Sequence, residues 1–200
     1  MRIPAALALF AAAALSGCGA PPASAPPAAT AASPTATAEV SGAAPRGAIV
    51  ALLPATGETP LPEGPAVMDQ YAKQFVPNML YVRVGQPVEF RNTEDMGHNV
   101  TVNRRDTGAA IFNVETDPQE KHVHTFDRVG QYDVTCSVHP GMQATVVATR
   151  SPVATTASDD GRFSLSGVPA GDYTLSVTFE GRTVEQAVAV KGPRTEVKIQ

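Results

Sequence analysis

Short runs of alternating apolar and polar residues follow one another along the middle of the chain. Between residues 67 and 148 these runs recur about every eight to twelve residues, with turn-forming glycine and proline between them. A period of two residues is that of a strand with one buried face. The 18 prolines and 16 glycines among the 200 residues also disfavour long helices. The sequence therefore predicts an all-β protein built from β-sandwiches.

Residues 1–17 have the features of a secretory signal peptide. Arg2 provides a charged start, an apolar run extends from Ile3 to Leu15, and small residues precede Cys18. The apolar run is too short to span a bilayer. The sequence Leu15-Ser16-Gly17-Cys18 resembles the bacterial lipobox, and this resemblance implies cleavage before Cys18 and lipidation of that cysteine. The alternative is an ordinary signal peptide with an incidental Cys18.

Lipidation of Cys18 would place the protein at the cell envelope, secreted, lipid-anchored and facing the periplasm. Attachment to the membrane would be stable, because each buried methylene contributes about 0.8 kcal/mol. Gly19 stands where similar lipoproteins that stay at the inner membrane have aspartate, so the outer membrane is expected. Residues 18–45 are mostly Ala, Pro, Ser and Thr, which predicts a disordered tether.

The charge of the chain limits its partners. The formal net charge is −4, and no basic cluster occurs, so nucleic-acid binding is not expected. A monomer is expected, and the sequence does not identify a redox partner protein.

Cys136 is the only cysteine besides Cys18, so lipidation of Cys18 leaves it without a disulfide partner. A free thiol in an oxidising compartment is vulnerable unless something occupies it. His139 and Met142 follow at intervals of three residues, so that one turn can bring the three side chains together. His98, at the start of a predicted strand, is the candidate for a fourth ligand. A thiolate, two imidazoles and a weak axial thioether suit one copper ion that alternates between Cu(I) and Cu(II).

The same region resembles the cupredoxins, specifically their plastocyanin-like and amicyanin-like members. The segments that carry this resemblance are Gly85-Gln86-Pro87-Val88-Glu89-Phe90-Arg91-Asn92, His98-Asn99-Val100, Phe126, Gly130-Gln131-Tyr132 and Cys136-x-x-His139-Pro140-x-Met142. The resemblance implies a Greek-key β-sandwich that holds a blue copper ion through His98, Cys136, His139 and Met142. It also implies that Asn99 and Ser137 form hydrogen bonds that orient these ligands. Taken singly, Cys136 and Met142 could instead be core residues.

The C-terminal part of the chain resembles a carboxypeptidase regulatory-like β-sandwich. The residues concerned are Asp160-Gly161-Arg162-Phe163 and Val168-Pro169-Ala170-Gly171-Asp172-Tyr173. In that family an apolar strand such as 48–53 lies just upstream of the Asp-Gly turn, whereas about a hundred residues separate them here.

This separation predicts a cupredoxin domain at 67–150, inserted into a regulatory-like domain made of 46–66 and 151–200. The nested layout is similar to that of methylamine-utilisation-like copper proteins, which the run Met68-Asp69-Gln70 before Phe75-Val76-Pro77 also resembles. The alternative is two domains in series, with the apolar strand 48–53 as the first strand of the copper domain.

These features predict a one-electron carrier and not an enzyme. A copper enzyme would need a second, histidine-rich site, and only His122 and His124 remain after the first site is filled. The alternative function is copper delivery or sequestration at the envelope. His122 and His124 could form an extra metal site or a pH-sensitive surface, but the favoured interpretation is that His124 is a partly buried, hydrogen-bonded histidine.

Overall fold

The structure of the protein, a computed structural model, describes residues 37–199. Every regular element in this range is a β-strand, which confirms the predicted all-β class, and no helix there is long and apolar enough to cross a membrane. The predicted signal peptide, Cys18 and the first part of the predicted tether lie outside the described residues. In chain order the strands are β1 Thr37–Ala43, β2 Ile49–Pro54, β3 Ala66–Tyr71, β4 Gln74–Val76, β5 Met79–Arg83, β6 Pro87–Asn92, β7 His98–Arg104, β8 Ala110–Thr116, β9 Lys121–Thr125, β10 Gly130–Thr135, β11 Gln143–Thr149, β12 Ala154–Thr156, β13 Arg162–Pro169, β14 Gly171–Phe179, β15 Arg182–Val190 and β16 Arg194–Val197.

Strands β3 to β11 form one sandwich, here called the site sandwich. Its two sheets have the strand orders β5-β11-β10-β7-β8 and β4-β3-β6-β9. Alternate residues of each strand point into a shared core, such as Val100 and Val102 of β7 and Tyr132 and Val134 of β10, all of them at most 2% exposed. Because β10 lies between β7 and β11, the strand that leads to Cys136 is next to the strand that begins with His98.

The other seven strands form a second sandwich, here called the flanking sandwich. Its sheets have the orders β13-β1-β16 and β12-β2-β14-β15, and its core includes the fully buried Leu52 and Leu175. Strands β1 and β2 precede the site sandwich in the chain, whereas all their partners follow it. The strands of the flanking sandwich therefore come from both sides of the site sandwich in sequence. Its membership of the regulatory-like family stays a prediction.

Strand β1 corrects the prediction of a disordered tether at 18–45. Ala38 and Val40 point into the core of the flanking sandwich with 5% and 0% exposure. The strand lies between β13 and β16, so both of its edges are paired. Only these two residues of β1 are fully buried, and they stand among Ala, Ser, Thr and Gly residues, which is why composition alone suggested disorder here. The flanking sandwich thus begins before residue 46, and Ala66, assigned to it from sequence, starts β3 of the site sandwich.

The two sandwiches are packed closely against each other. Ile49 and Ala51 of β2 and Ser176 of β14 point away from the flanking core, yet each is at most 5% exposed. Together with Val129 and Thr149 of the site sandwich they line a void of only about 10 Å³. Hydrogen bonds also join the sandwiches, among them those from Gln131 Nε2 to the Gly47 carbonyl and between Tyr81 Oη and Thr156 Oγ1 at 3.0 Å. This close packing is confined to one strip, because a wider cleft of about 440 Å³ lies beside it, lined by Ile49 and Thr178 on one side and by Arg105 and Gln131 on the other.

Candidate metal centre

The loop between β10 and β11 carries three of the four residues that the sequence predicts as ligands. Thr135 pairs with Gln143 at the ends of the two strands, so the loop between them starts and finishes at one place. Within the loop, the Cys136 N–H donates to the Met142 carbonyl at 3.1 Å, and the Met142 N–H donates to the His139 carbonyl at 3.3 Å. Gly141 has φ of 83°, a left-handed conformation that glycine adopts without strain. The loop is therefore closed by its own backbone.

Three donor atoms converge beside this loop. The Sγ of Cys136 lies 3.9 Å from His98 Nδ1 and 3.8 Å from His139 Nδ1, and the two Nδ1 atoms are 3.0 Å apart. All three atoms lie within 4.8 Å of one another, and no other such group of three potential metal-binding residues occurs among the described residues. Sequence separations of 38 and 41 residues join His98 to the loop, so the fold brings these groups together.

Most of the site is shielded from solvent. His98, Cys136 and Met142 are 2%, 6% and 2% exposed, and the last two belong to the core of the site sandwich. His139 is half-buried, and its neighbour Val138 is 57% exposed. The site thus has a dry interior and one imidazole close to the surface.

Asn99 links the ligand loop to strand β7. Its Oδ1 accepts hydrogen bonds from the Ser137 N–H at 2.7 Å and from Ser137 Oγ at 3.1 Å. Its Nδ2 donates to Thr101 Oγ1 at 3.0 Å and to Asn113 Oδ1 at 2.8 Å. These two acceptors orient the amide so that its oxygen faces the loop. Asn99 and Ser137 are evident from the sequence, whereas Thr101 and Asn113 are not, because their proximity depends on the pairing of β7 with β8.

Glu94 is a further residue of the site that sequence analysis missed. Its Oε2 lies 2.6 Å from His98 Nε2, and the side chains of His98 and Glu94 are 0% and 13% exposed. Burial raises the pKa of Glu94, but hydrogen bonds from His98 and from the Lys73 backbone outweigh it, so the pKa lies below its ordinary value. The carboxylate therefore accepts a hydrogen bond from Nε2–H, and Nδ1 presents its lone pair toward Cys136 Sγ and His139 Nδ1. In the sequence, the only indication of this contact is that an acidic residue, Glu94, lies four positions before His98.

The donor set fits copper. A thiolate and two imidazoles suit both oxidation states of copper, and a weak fourth ligand such as a thioether completes the usual electron-transfer geometry. His98 and His139 direct Nδ1 toward the thiol, and Met142 lies buried in the same core as Cys136.

Residues 65–149 match a family of copper-binding proteins, the plastocyanin/azurin family. This segment is a cupredoxin domain. It coincides with the site sandwich, which confirms the resemblance stated from the sequence. Together, the cupredoxin family and the His-Cys-His cluster support one copper ion as the cofactor.

Solved cupredoxins are similar to about half of the chain. A copper(I) structure of an amicyanin mutant is 25% identical, and the match covers 50% of this chain and 98% of that chain with a TM-score of 0.40. A reduced amicyanin mutant at pH 4 is 28% identical with the same coverage and TM-score. A purple cupredoxin from Nitrosopumilus maritimus is 25% identical, covering 42% of this chain and 99% of that chain with a TM-score of 0.38. No curated protein matches the sequence.

His122 and His124 lie elsewhere in the cupredoxin domain and do not join the cluster. They oppose Phe90 and Val88 across the β6–β9 pair. Among the described residues neither forms a hydrogen bond, so the prediction of a hydrogen-bonded His124 is wrong. Its half-buried ring instead packs between Phe112 and Phe126, with a centroid distance of 4.8 Å to each. Aromatic contacts take the place of polar partners at the edge of this sandwich.

The burial of His124 predicts sensitivity to acid. Burial, with a further contribution from His122, holds the pKa of His124 below its ordinary value of about 6.5. The folded state therefore binds fewer protons than the unfolded state, and the stability that this residue contributes is complete above pH 6.5 and is lost as the pH falls below it.

Urea denaturation of the apoprotein at pH 7.5 and pH 5 measures this effect. The His124→Phe variant should lose less stability on acidification than the wild type. Comparison of the two proteins cancels the titration of the groups that they share. An equal loss in both proteins would contradict the assignment.

Proposed function

We propose that this protein is a mononuclear blue-copper protein that carries single electrons at the bacterial cell envelope and is not an enzyme. The proposed ligands are His98, Cys136, His139 and Met142. The observation that carries the proposal is the convergence of two imidazole Nδ1 atoms and one thiol within 4.8 Å, beside a closed loop. When bound, copper supplies a site that accepts and releases one electron.

The surroundings of the site favour electron transfer because they resist rearrangement. Asn99 holds the ligand loop through Ser137, and Glu94 holds His98 from the side opposite the thiol. Cys136 and Met142 are fixed in a close-packed core. A ligand set that is held in one geometry by its neighbours changes little when the oxidation state changes. Such a site exchanges electrons with a small reorganisation cost.

His139 is the proposed entry point for electrons. It is the one member of the cluster that is not fully buried, and the exposed residues Val138 and Pro140 flank it. A partner protein that contacts this loop would approach the site through a single imidazole. The redox partner itself stays unidentified.

The envelope location rests on the sequence of residues 1–45. The signal-like segment and the lipobox-like run ending in Cys18 support a lipid anchor that faces the periplasm, on the outer membrane in preference to the inner. The flanking sandwich is proposed as a regulatory-like domain, and only its first two strands would lie between the anchor and the cupredoxin domain in sequence. Its proposed role is structural.

The test is the visible spectrum and redox behaviour of the chain from residue 19 to residue 200, loaded with copper(II). This range keeps β1, which the flanking sandwich requires. An intense thiolate-to-copper band, bleached and restored reversibly by one electron per protein, is the expected result. A colourless complex whose copper exchanges rapidly with a chelator would contradict electron transfer and favour copper delivery or sequestration.

A further inference from the structure

A carboxylate that is largely shielded from solvent next to a metal-site histidine needs partners that offset its desolvation. Glu94 has one such partner in His98 Nε2, at 2.6 Å. Its other partner comes from a separate element, the turn between β3 and β4. The Lys73 N–H lies 3.2 Å from Glu94 Oε1 and 3.4 Å from Oε2.

The turn has an unusual backbone. Ala72 and Lys73 have φ values of 53° and 55°, in the left-handed region that residues with a Cβ rarely occupy. Two-residue turns of this kind usually contain asparagine and glycine, because other residues are strained there. Successive N–H groups in a left-handed turn point into a concavity that binds anions. In this turn the Lys73 N–H faces an anion, the side chain of Glu94.

We propose that the tip of the β3–β4 hairpin, residues 71–74, together with Glu94 forms a positioning relay that holds His98 in its ligand orientation. The Lys73 amide of the turn holds the carboxylate, the carboxylate accepts a hydrogen bond from His98 Nε2–H, and Nδ1 is thereby directed at Cys136 and His139. The relay rests on the proposed function, because it acts on a ligand of the same copper site. Ala72, Lys73 and Glu94 are positioning residues and do not contact the metal.

The relay has two separate consequences. The hydrogen bond restrains rotation of the imidazole and thereby slows the release of copper. Loss of a residue that hydrogen-bonds to a metal ligand typically lowers metal affinity by about 10–100-fold. The carboxylate charge, placed one imidazole away from the metal, stabilises copper(II) over copper(I) and lowers the reduction potential. A merely structural role for Glu94 would produce neither effect.

Glu94→Gln tests the charge with little change of shape. The reduction potential of this variant should be higher than that of the wild type, with the visible band retained. Asp95→Asn is the matched control, because it removes the same charge from the adjacent residue, which is exposed and has no hydrogen bond or ion pair among the described residues. Solvent screens such a charge, so the reduction potential of the Asp95→Asn variant should differ much less from that of the wild type.

Glu94→Ala tests the hydrogen bond. Transfer of copper(I) to a chelator should be about 10–100-fold faster than in the wild type. In nitrogen-15 NMR spectra of the copper(I) protein, the His98 Nε2 proton should exchange slowly with solvent in the wild type and rapidly in this variant.

The hairpin supplies the third arm of the test. Insertion of one glycine between Ala72 and Lys73 lengthens the turn and should shift the potential and the copper release rate in the same direction as the Glu94 variants. Combined with Glu94→Ala, the insertion should add little, because both changes interrupt one chain of contacts. The double variant Ala72→Gly/Lys73→Gly keeps the amides in place without the strain, so its potential and release rate should match the wild type.

Two results would overturn the relay while leaving the proposed function intact. One is a blue wild-type protein whose potential and release rate are unchanged by Glu94→Gln and Glu94→Ala. The other is a hairpin insertion that adds its full effect on top of Glu94→Ala. Failure of the proposed function looks different, because the wild-type protein itself would then lack the thiolate-to-copper band.

Discussion

Cys136→Ser is expected to abolish the thiolate-to-copper absorption band and to lower copper affinity by more than about 100-fold. Loss of a residue that only hydrogen-bonds to a ligand lowers metal affinity by up to about 100-fold, and loss of a ligand should cost more. Cys136 Sγ is the only sulfur in the His-Cys-His cluster, and it lies within 4 Å of both imidazole Nδ1 atoms. A serine hydroxyl is a much poorer ligand for copper(I) and gives no such band. The measurements are the visible spectrum and a competition titration with a chelator.

Met142→Leu is the control for this prediction. Leucine has a similar volume, so the core around Cys136 should stay filled. The thiolate and both imidazoles remain, and the visible band should therefore persist, although the reduction potential can change. A Cys136→Ser protein that keeps the band, or a Met142→Leu protein that loses it, would contradict the proposed division of roles between the two sulfur ligands.

Gly42→Val is expected to lower the free energy of unfolding by about 3 kcal/mol, at the upper end of the cost of overpacking. A Cβ at this position would lie 2.5 Å from the Val197 carbonyl oxygen and 2.9 Å from the Phe163 ring. The oxygen belongs to the backbone of β16, which pairs with β1 at this residue, so the strands would have to separate. Chemical denaturation followed by circular dichroism measures the change.

Gly192→Val provides a matched control. Nothing lies within 4 Å of a Cβ at Gly192, and this glycine has no positive φ. The same substitution there should change the stability by no more than about 0.5 kcal/mol. If both variants were equally stable, β1 would not be packed into the flanking sandwich in solution.

The ligand loop was accessible to sequence analysis because its chemistry is local. Cys136, His139 and Met142 lie within one turn, and a loop closed by its own backbone brings neighbouring residues together whatever surrounds it. The alternating strands of the site sandwich were equally visible, since a period of two reports burial on one face. One exception was β8, which the sequence analysis did not assign and which supplies Asn113 to the site.

Other parts of the site depended on distant segments. The support of Glu94 was not evident from the sequence because it comes from the hairpin tip at Lys73, about twenty residues upstream, and the strained turn has no recognisable turn sequence. His124 was expected to have a polar partner, but the fold surrounds it with Phe112 and Phe126. In both cases, the partner is chosen by strand pairing and packing between residues far apart in the chain.

By itself, the sequence determined the all-β class, the cupredoxin domain and the residues able to provide a copper site, because strand periodicity and ligand spacing are short-range properties. Only the tertiary structure decided that β1 is a central strand, that the flanking sandwich covers one face of the cupredoxin domain, and that a hairpin supports Glu94. These features depend on contacts between segments up to about 150 residues apart, such as β1 with β16. The free energy of such contacts comes from burial and pairing, which no local pattern records.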